Sequence, residues 1–337
     1  MDKNQHHQER GPEQDPVPLS DLLPGFIAEV AEMRHRTLLP ELFDLLRPTT
    51  DPDGEETPNL EAVARLLENQ PFPFEGGLVV DVDRVLAVSA QGIVVEGRRP
   101  KLLDPAGKPL LIKICTPFAL NGAGESIDEL PPLQSLPAPL AELRACEQGA
   151  RSGCPVMPAL RGSRCIENSE RPGEFLVYVA QEIVHGADLM AAVQLVAETP
   201  GADLRHLIMS VLSSVEQLHR AGIVHLDLSP SNIIVGAGTS VHLIDFGYSE
   251  VVPPAPTGRP GGEQAQVIAM AQSLGEALYS AYRSVPAEVW RCNGRELLEW
   301  TADLLRVRDV GQPHPLWEQL LKEGNPIGTL RERLERL

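Results

Sequence analysis

The chain has 337 residues, of which 42% are hydrophobic, enough for a sizeable core in about two domains. Its 29 basic and 47 acidic residues give a net charge of −18, which argues against a nucleic-acid or anionic-membrane surface, since both contacts require cations that neutralise phosphate. No apolar run reaches the roughly 18–20 residues that span a bilayer, and the polar start lacks the apolar core of a signal peptide. The five cysteines lack paired spacing and predict reduced thiols. We therefore expect a cytoplasmic protein, with leaderless export as an effector left open.

The first 75 residues predict an acidic and mainly helical extension. They carry 16 acidic and 6 basic residues. Residues 1–17 are polar and predict a disordered tail, because they offer little to bury. Apolar residues recur at helical spacing over 20–46, where Pro40 is expected to separate a second short helix, and a third helix is predicted over 59–70. We interpret 18–75 as a helical extension, with a protein partner as one open role.

Beyond Pro71 the apolar pattern changes from helical spacing to alternation, which indicates strands. One helix interrupts them at 136–150, and a long amphipathic helix follows at 204–218. The predicted strands are 78–83, 84–90, 92–97, 109–115, 175–184, 232–235 and 241–245, and the predicted C-terminal helices are 264–282, 286–306 and 315–337. Helices, then a β-rich region with one helix, then a helix-rich region are typical of an α+β fold.

The segment HLDLSPSNIIV, residues 225–235, carries the clearest chemical signal. Asn232 follows Asp227 by five residues, and Asp245 ends an apolar strand eighteen residues after Asp227. Oxygen ligands from Asn232 and Asp245 suit magnesium rather than zinc. A free carboxylate just ahead of them, that of Asp227, is what a hydroxyl nucleophile needs for orientation and proton acceptance.

At these residues the sequence resembles the protein-kinase-like superfamily, whose catalytic loop reads HRDxxxxN and whose magnesium loop reads DFG. Both motifs match in order and spacing, and the resemblance extends over residues 76–305. It implies a two-lobed protein-kinase-like fold, with an N-lobe at 76–184 and a reduced C-lobe at 185–337, in an atypical or minimal bacterial-type Ser/Thr protein kinase. It also implies ATP and Mg2+ as cofactors.

The resemblance assigns a phosphate-binding lysine and its partner. Lys113, in the predicted strand PLLIKIC, matches the lysine that holds the α- and β-phosphates in this family. The glutamate that pairs with it is matched best by Glu142 in the following helix, and Glu147 is the second choice. The catalytic set that the resemblance implies is therefore Asp227, Lys113 and Glu142, with Asn232 and Asp245 as the metal ligands.

The run QEIVHGADL resembles the hinge that binds adenine in this family. By this match Gln181 is the gatekeeper, and the backbone of Glu182 and Val184 meets the adenine edge. Asp188 is then expected to contact the ribose hydroxyls, and Ile234 to pack beneath the adenine ring.

Several positions depart from the family pattern. Ser229 stands where Ser/Thr kinases usually carry a lysine, and Leu226 replaces the arginine of HRD. Gly92 is the one glycine of SAQGIV, residues 89–94, where the family has a glycine-rich loop between its first two strands. Leu111 replaces the small residue that normally lies over adenine, and the stretch 248–262 has no APE-like end. These departures predict a minimal kinase.

The resemblance implies an ATP- and Mg-dependent phosphotransferase, foremost a Ser/Thr protein kinase acting on a protein hydroxyl. The first alternative is a small-molecule kinase of the aminoglycoside or choline type, which Ser229 favours, whereas Pro230 and the intact DFG favour protein kinases. The second alternative is a pseudokinase scaffold that acts through its helical extension, which the weak glycine loop favours. Retention of every catalytic and metal-binding position argues against this second alternative.

Overall fold

The structure is a computed structural model, and the predicted disordered tail 1–17 lies outside the residues it describes. The predicted helices 264–282 and 286–306 also lie outside, as does 315–337 apart from Arg331 and Glu332. The described residues are 19–46, 49–50, 56–57, 60–68, 70–89, 92–104, 106–115, 117–119, 137–199, 204–251 and 331–332.

The described residues form helices before and after one large sheet. The helices are α1 (Leu19–Leu45), α2 (Leu60–Leu67), α3 (Ala138–Ser152), α4 (Leu189–Glu198) and α5 (Leu204–Arg220). The strands are β1 (Thr49–Thr50), β2 (Glu56–Thr57), β3 (Pro71–Pro73), β4 (Val79–Ser89), β5 (Gly92–Arg98), β6 (Leu110–Cys115), β7 (Phe118–Ala119), β8 (Leu160–Glu167), β9 (Glu174–Glu182), β10 (Ala187–Asp188), β11 (Ile223–Val224), β12 (Ile233–Val235), β13 (Val241–Leu243) and β14 (Glu250–Val251). Among these residues no helix is long and apolar enough to cross a membrane.

Seven strands form one antiparallel sheet in the order β3-β4-β5-β6-β9-β7, and β8 pairs with the other side of β9. Side chains alternate across the sheet, so that Ile112 and Ile114 of β6 are buried on one face. The two ends of the sheet approach each other, since a Cβ on Gly162 of β8 would lie 2.9 Å from the Cβ of Phe74, just after β3. The sheet is therefore strongly curled.

Two hydrophobic cores are formed, one under the extension and one under the later helices. The first core packs α1 and α2 against the sheet through Leu42, Phe43, Leu46, Val63, Leu67, Phe72, Ile93, Ile112, Ile114 and Tyr178. The second core joins α3, α4, α5 and β9 through Leu140, Ala145, Cys146, Val177, Val179, Val193, Leu207, Val211, Leu228 and Phe246. The fold is thus α+β, with a β-rich lobe that contains α3, followed by a helical lobe.

The prediction that Pro40 separates two helices is wrong, because α1 is one helix with Pro24 and Pro40 inside it. An interior proline costs about 3 kcal/mol through a lost hydrogen bond and a steric clash. Leu38 and Leu42, on either side of Pro40, are buried in the first core. Burial on both sides of Pro40 offsets that cost and keeps the helix continuous.

The prediction of two strands at 78–83 and 84–90 is also wrong, because both runs form the single strand β4. The alternation of β4 is interrupted at Arg84 and again near Ala87, where the register with β5 shifts. A bulge of this kind absorbs an extra residue without ending the strand. The predicted helix at 59–70 is present as the shorter α2.

The predicted extension, 18–75, is joined closely to the β-rich lobe. Phe72 of β3 pairs with Val80 of β4, so that the sheet begins at Pro71. The short hairpin of β1 and β2 lies between α1 and α2, and the extension is therefore only partly helical. The boundaries of the extension and the lobes, at 76 and at 185, stay predictions.

Candidate active site

Lys113 lies in β6, on the face opposite to Ile112 and Ile114. The alternation of the strand turns the two isoleucines into the first core and Lys113 toward α3. Its Nζ lies 2.7 Å from Oε2 of Glu142 and 2.7 Å from Oδ1 of Asp245. The structure therefore brings together three of the predicted site residues, from β6, from α3 and from the segment after β13.

The two carboxylates stabilise the positive charge of Lys113. Burial lowers the pKa of Lys113, but the carboxylates of Glu142 and Asp245 outweigh burial, so that its pKa is raised above the usual value. Burial raises the pKa of Glu142, while the positive charge of Lys113 opposes that shift. The lysine therefore stays protonated at neutral pH, in the form that binds phosphate oxygens.

Glu142 is presented by the first turns of α3. Pro137 precedes this helix, and the apolar side chains of Leu140 and Ala145 bury it against the second core. Glu142 itself is 4% exposed, whereas Glu147, the second choice, faces Ser163 Oγ at 3.5 Å. The structure therefore places Glu142, and not Glu147, beside the lysine.

The loop between β11 and β12 is held by hydrogen bonds to the segment that carries Asp245. The ring nitrogen Nε2 of His225 lies 2.8 Å from the carbonyl oxygen of Ile244, and the ring packs on Phe246 with centroids 4.7 Å apart. Burial lowers the pKa of His225. This histidine is therefore a neutral core residue that fixes the distance between the two motif segments.

Asn232 lies beside Asp227 in the same loop. Its Nδ2 donates to the backbone carbonyl of Asp227 at 2.9 Å and lies 3.4 Å from that residue's carboxylate. The backbone N–H of Ile244 donates to the carbonyl of Asn232 at 3.0 Å, which ties the loop to the strand before Asp245. With Nδ2 engaged, Oδ1 is the atom that Asn232 has to offer a cation.

Two residues next to these functional groups adopt left-handed backbone angles. Leu226 has φ of 63° and Asp245 has φ of 64°. Such a conformation costs a non-glycine residue about 1–3 kcal/mol and clusters at active sites and switch regions. The strain turns the chain sharply, directly before Asp227 and at Asp245 itself.

The hinge residues Gln181 and Glu182 are held by contacts with α3 and with the chain at the start of β8. The side-chain amide of Gln181 donates to Sγ of Cys146 at 3.1 Å and is buried against α3. The backbone N–H of Glu182 donates to the carbonyl of Ala159 at 3.0 Å, and its carboxylate forms an ion pair with Arg161. The N–H of Glu182 is therefore already engaged within the chain.

The two remaining predicted nucleotide contacts face each other across a strand pair, Asp188 of β10 opposite Ile234 of β12. The Asp188 carboxylate accepts a hydrogen bond from the backbone N–H of Ala191 at 2.8 Å and so caps α4. The ribose contact of Asp188 and the adenine contact of Ile234 stay predictions.

A cavity of about 550 Å³ lies beside the hinge. Glu182 and Val184 line it together with His242 and the C-terminal end of α3, whereas neither Lys113 nor Asp245 lines it. It is therefore separate from the cluster around the lysine, and the predicted adenine contacts of Glu182 and Val184 stay predictions.

Gly92 has a structural reason to be glycine. It begins β5 with φ of 147°, and a Cβ there would lie 2.3 Å from the carbonyl oxygen of Ile114. The turn before it consists of residues 90–91, which lie outside the described part of the chain. Gly92 is therefore required for the approach of β5 to β6.

Sequence reasoning missed two hydrogen-bonded features near the site. Ser229 Oγ lies 2.8 Å from Ser231 Oγ within the catalytic-loop segment, and motif spacing gives no sign of that pair. Arg164 of β8 binds Glu32 of α1, 132 residues away in sequence. No local pattern signals a contact between residues so far apart.

Comparison with known proteins agrees with this geometry. Residues 164–290 match the protein kinase domain family. This match and the kinases among the similar proteins support the chain as a member of the protein-kinase-like superfamily. Its two-lobed α+β fold is the protein-kinase-like fold that the catalytic and magnesium loops implied.

Three relatives are kinases by name. A probable serine/threonine-protein kinase of Dictyostelium discoideum is 25% identical over 201 residues, 56% of this chain and 14% of that protein. An SNF1-related protein kinase catalytic subunit alpha of Arabidopsis thaliana is 33% identical over 89 residues, 26% of this chain and 18% of that protein. The hormonally up-regulated neu tumor-associated kinase of Mus musculus is 38% identical over 72 residues, 21% of this chain and 10% of that protein. The chain thus spans less than a fifth of these relatives' lengths.

Proposed function

We propose that the chain binds ATP with magnesium and transfers the γ-phosphoryl group to a hydroxyl, foremost that of a serine or threonine in a protein. The observation that carries the proposal is the 2.7 Å contact of Lys113 Nζ with both Glu142 and Asp245. A protonated lysine held between a helix and the DFG segment is suited to hold nucleotide phosphates. The match of residues 164–290 to the protein kinase domain family supports this role.

The donor atoms of Asp245 and Asn232 fit the metal that the resemblance to kinases implies. Asp245 contributes carboxylate oxygens, and Asn232 contributes an amide oxygen whose neighbouring Nδ2 is already bonded. Oxygen donors of this kind suit Mg2+, which neutralises phosphate charge when bound. In the proposal Asp227 orients the acceptor hydroxyl and takes its proton, while Glu142 keeps Lys113 in place.

The hinge completes the nucleotide site in the proposal. The backbone of Glu182 and Val184 contacts the adenine edge, Ile234 lies under the ring, and Asp188 meets the ribose. Support comes from the pairing of Asp188 with Ile234 across β10 and β12, which brings these two residues side by side. Asp188 keeps a second carboxylate oxygen beside the one that caps α4.

A protein acceptor is supported by the serine/threonine kinase in the name of the Dictyostelium relative and by Pro230, which protein kinases share. Ser229, at the position of a phosphate-steadying lysine, brings a hydroxyl in place of a positive charge. We therefore expect transfer to be slower than in kinases that carry the lysine.

The first test is a titration of the purified chain with ATP, with and without Mg2+. The thermal midpoint of unfolding is measured at each ATP concentration. A ligand present at about 100 Kd that binds only the folded state adds ~2.7 kcal/mol of stability. We expect a magnesium-dependent rise that Lys113→Met removes and that Lys101→Met, a change at an exposed lysine, leaves intact. Absence of any rise at millimolar ATP would contradict the proposal and favour the pseudokinase scaffold.

The second test identifies the acceptor. Labelled ATP is offered with a serine and threonine peptide library and, separately, with a panel of aminoglycosides and amino alcohols. We expect label in peptides, and Asp227→Asn should remove transfer while the ATP-induced rise in thermal midpoint remains. Label in the small molecules alone would assign the chain to the small-molecule kinases.

A further inference from the structure

The extension is attached to the β-rich lobe by a charged pair. Nη1 and Nη2 of Arg164, in β8, donate to the two carboxylate oxygens of Glu32, in α1, at 2.6 and 2.9 Å. Nη1 also donates to the carbonyl of Pro73, in β3, at 3.2 Å. One guanidinium therefore joins α1, β3 and β8, and two parallel bonds of this kind fix orientation as well as distance.

The pair is shielded from solvent, since the side chains of Arg164 and Glu32 are 20% and 28% exposed. The hydrogen bond from Arg164 is the main cause that lowers the pKa of Glu32 to about 2, against the opposing effect of burial. Arg36, one turn along α1, contacts the same carboxylate at 3.1 Å but is 74% exposed. Screening by solvent makes a contact like that of Arg36 worth little. Glu32 thus has one interior and one exterior partner.

Strand register connects this pair to the neighbourhood of the lysine. Arg164 of β8 stands opposite Tyr178 of β9, which in turn stands opposite Ile114 of β6. Lys113 belongs to the adjacent row, opposite Val179. The path from the charged pair to the lysine strand therefore crosses two antiparallel pairings.

Helix α1 also contacts Tyr178, the residue opposite Arg164. His35, three residues after Glu32, packs edge-on against Tyr178 and Phe72 with ring centroids 5.5 and 5.2 Å apart. Burial is the main cause that lowers the pKa of His35 to about 4, so this ring is neutral and packs as an aromatic group. Helix α1 thus contacts the paired residues Arg164 and Tyr178 in two ways, through the ion pair of Glu32 and through the ring of His35.

The β6 strand lies between two helical supports. On one face Ile112 and Ile114 belong to the core under α1, and on the other face Lys113 meets Glu142 of α3. A displacement of about 1 Å at a reacting group can reduce catalysis about 100-fold. A β6 strand that is packed on one face only would keep its fold, but the position of Lys113 would no longer be fixed.

We propose that Glu32 and Arg164 are positioning residues for Lys113, and that α1 acts as a brace on the sheet face opposite the catalytic cluster. The inference rests on the proposed function, because it takes Lys113 to be the phosphate-binding lysine. It gives the extension a role inside the chain and requires no partner protein.

The test compares Arg164→Gln and Glu32→Gln with Arg36→Gln, the exposed partner of the same carboxylate, in the full chain well below the thermal midpoint. The first two variants should raise the KM for ATP about tenfold, equivalent to ~1.4 kcal/mol, with a smaller change in kcat. The double variant should be no worse than the more affected single one, since both changes break the same ion pair. Arg36→Gln should stay within about twofold of the parent chain.

Amide hydrogen exchange across 110–115 supplies a readout that needs no activity. Exchange there should accelerate in Arg164→Gln and Glu32→Gln and stay unchanged in Arg36→Gln. Unchanged exchange at 110–115 with an unchanged KM would overturn the brace. If the parent chain shows no response to ATP, the proposed function fails. Amide hydrogen exchange at 110–115 then tests by itself whether α1 supports the strand. If Arg164→Gln does not fold, the shape-preserving Glu32→Gln carries the test.

Discussion

His35 and Tyr178 meet edge-on with ring centroids 5.5 Å apart, and neither the nitrogens of His35 nor the hydroxyl of Tyr178 has a hydrogen-bond partner among the described residues. Both side chains are fully buried in the core beneath α1. A buried polar atom without a partner costs about 1–3 kcal/mol. This aromatic contact therefore stabilises the fold through packing and destabilises it through buried polar atoms without a partner. Substitutions can measure the two effects separately.

Tyr178→Phe should raise the free energy of unfolding by about 1 kcal/mol, because it removes the unpaired hydroxyl and keeps the ring. Tyr178→Ala is the matched control, and it should lower the same quantity by about 3–5 kcal/mol through the cavity it leaves. Urea unfolding followed by circular dichroism measures both. A loss of more than 1 kcal/mol in Tyr178→Phe would show that the hydroxyl is bonded, for example to an internal water.

His35 predicts a pH dependence of stability. Burial, with Arg164 adding to it and Glu32 opposing, lowers its pKa from 6.5 to about 4 in the folded chain. Between pH 6.5 and pH 4 the unfolded chain therefore binds the extra proton, and stability falls as the pH falls, by ~3 kcal/mol at pH 4. Glu32 has its own lower window, from pH 4.5 to about 2.

The measurement is the difference in unfolding free energy between the parent chain and His35→Phe at pH 7, 6, 5 and 4. The parent should lose ~3 kcal/mol more than His35→Phe over this range, since the variant keeps an aromatic ring without a titrating nitrogen. Parallel curves for the two proteins would mean that the ring takes up its proton equally in both states.

Local patterns were sufficient to predict α5, β6 and the loop from His225 to Asn232, because each has its signal within a few residues. The apolar stripe predicted α5, alternation predicted β6, and motif spacing predicted Asn232 close to Asp227. The β8 strand was missed, since its sequence LRGSRCIE mixes charged and small residues and is only half-buried.

The docking of α1 could not be predicted, because it depends on contacts between distant parts of the chain. Glu32 and Arg164 are 132 residues apart, and each is an ordinary charged residue in its own segment. The same holds for Gln181 and Cys146, whose contact forms only when β9 and α3 pack together. Residues of this kind acquire their role from the tertiary structure.

Gly92→Ala should destabilise the chain by more than 3 kcal/mol, because the new Cβ would lie 2.3 Å from the backbone carbonyl oxygen of Ile114, an atom that cannot move aside cheaply. Gly153→Ala is the control, since Gly153 also has a positive φ, of 64°, but nothing lies within 4 Å of its Cβ position. The control should cost about 1–2 kcal/mol, which is the cost of a side chain at a left-handed backbone position alone. Equal thermal midpoints for the two variants would argue against close packing of β5 on β6.

Glu142→Gln and Glu147→Gln distinguish the two glutamates of α3, and their outcome depends on the proposed function. Glu142→Gln keeps the shape of the side chain but removes the charge 2.7 Å from Lys113, so the amine is held by Asp245 alone. The KM for ATP should rise about tenfold, equivalent to ~1.4 kcal/mol, and phosphotransfer should fall. Glu147→Gln changes a contact between α3 and Ser163 of β8 and should leave both quantities within about twofold. A larger effect from Glu147→Gln would reverse the assignment, because it would mean that α3 turns in the nucleotide-bound protein to present its other glutamate.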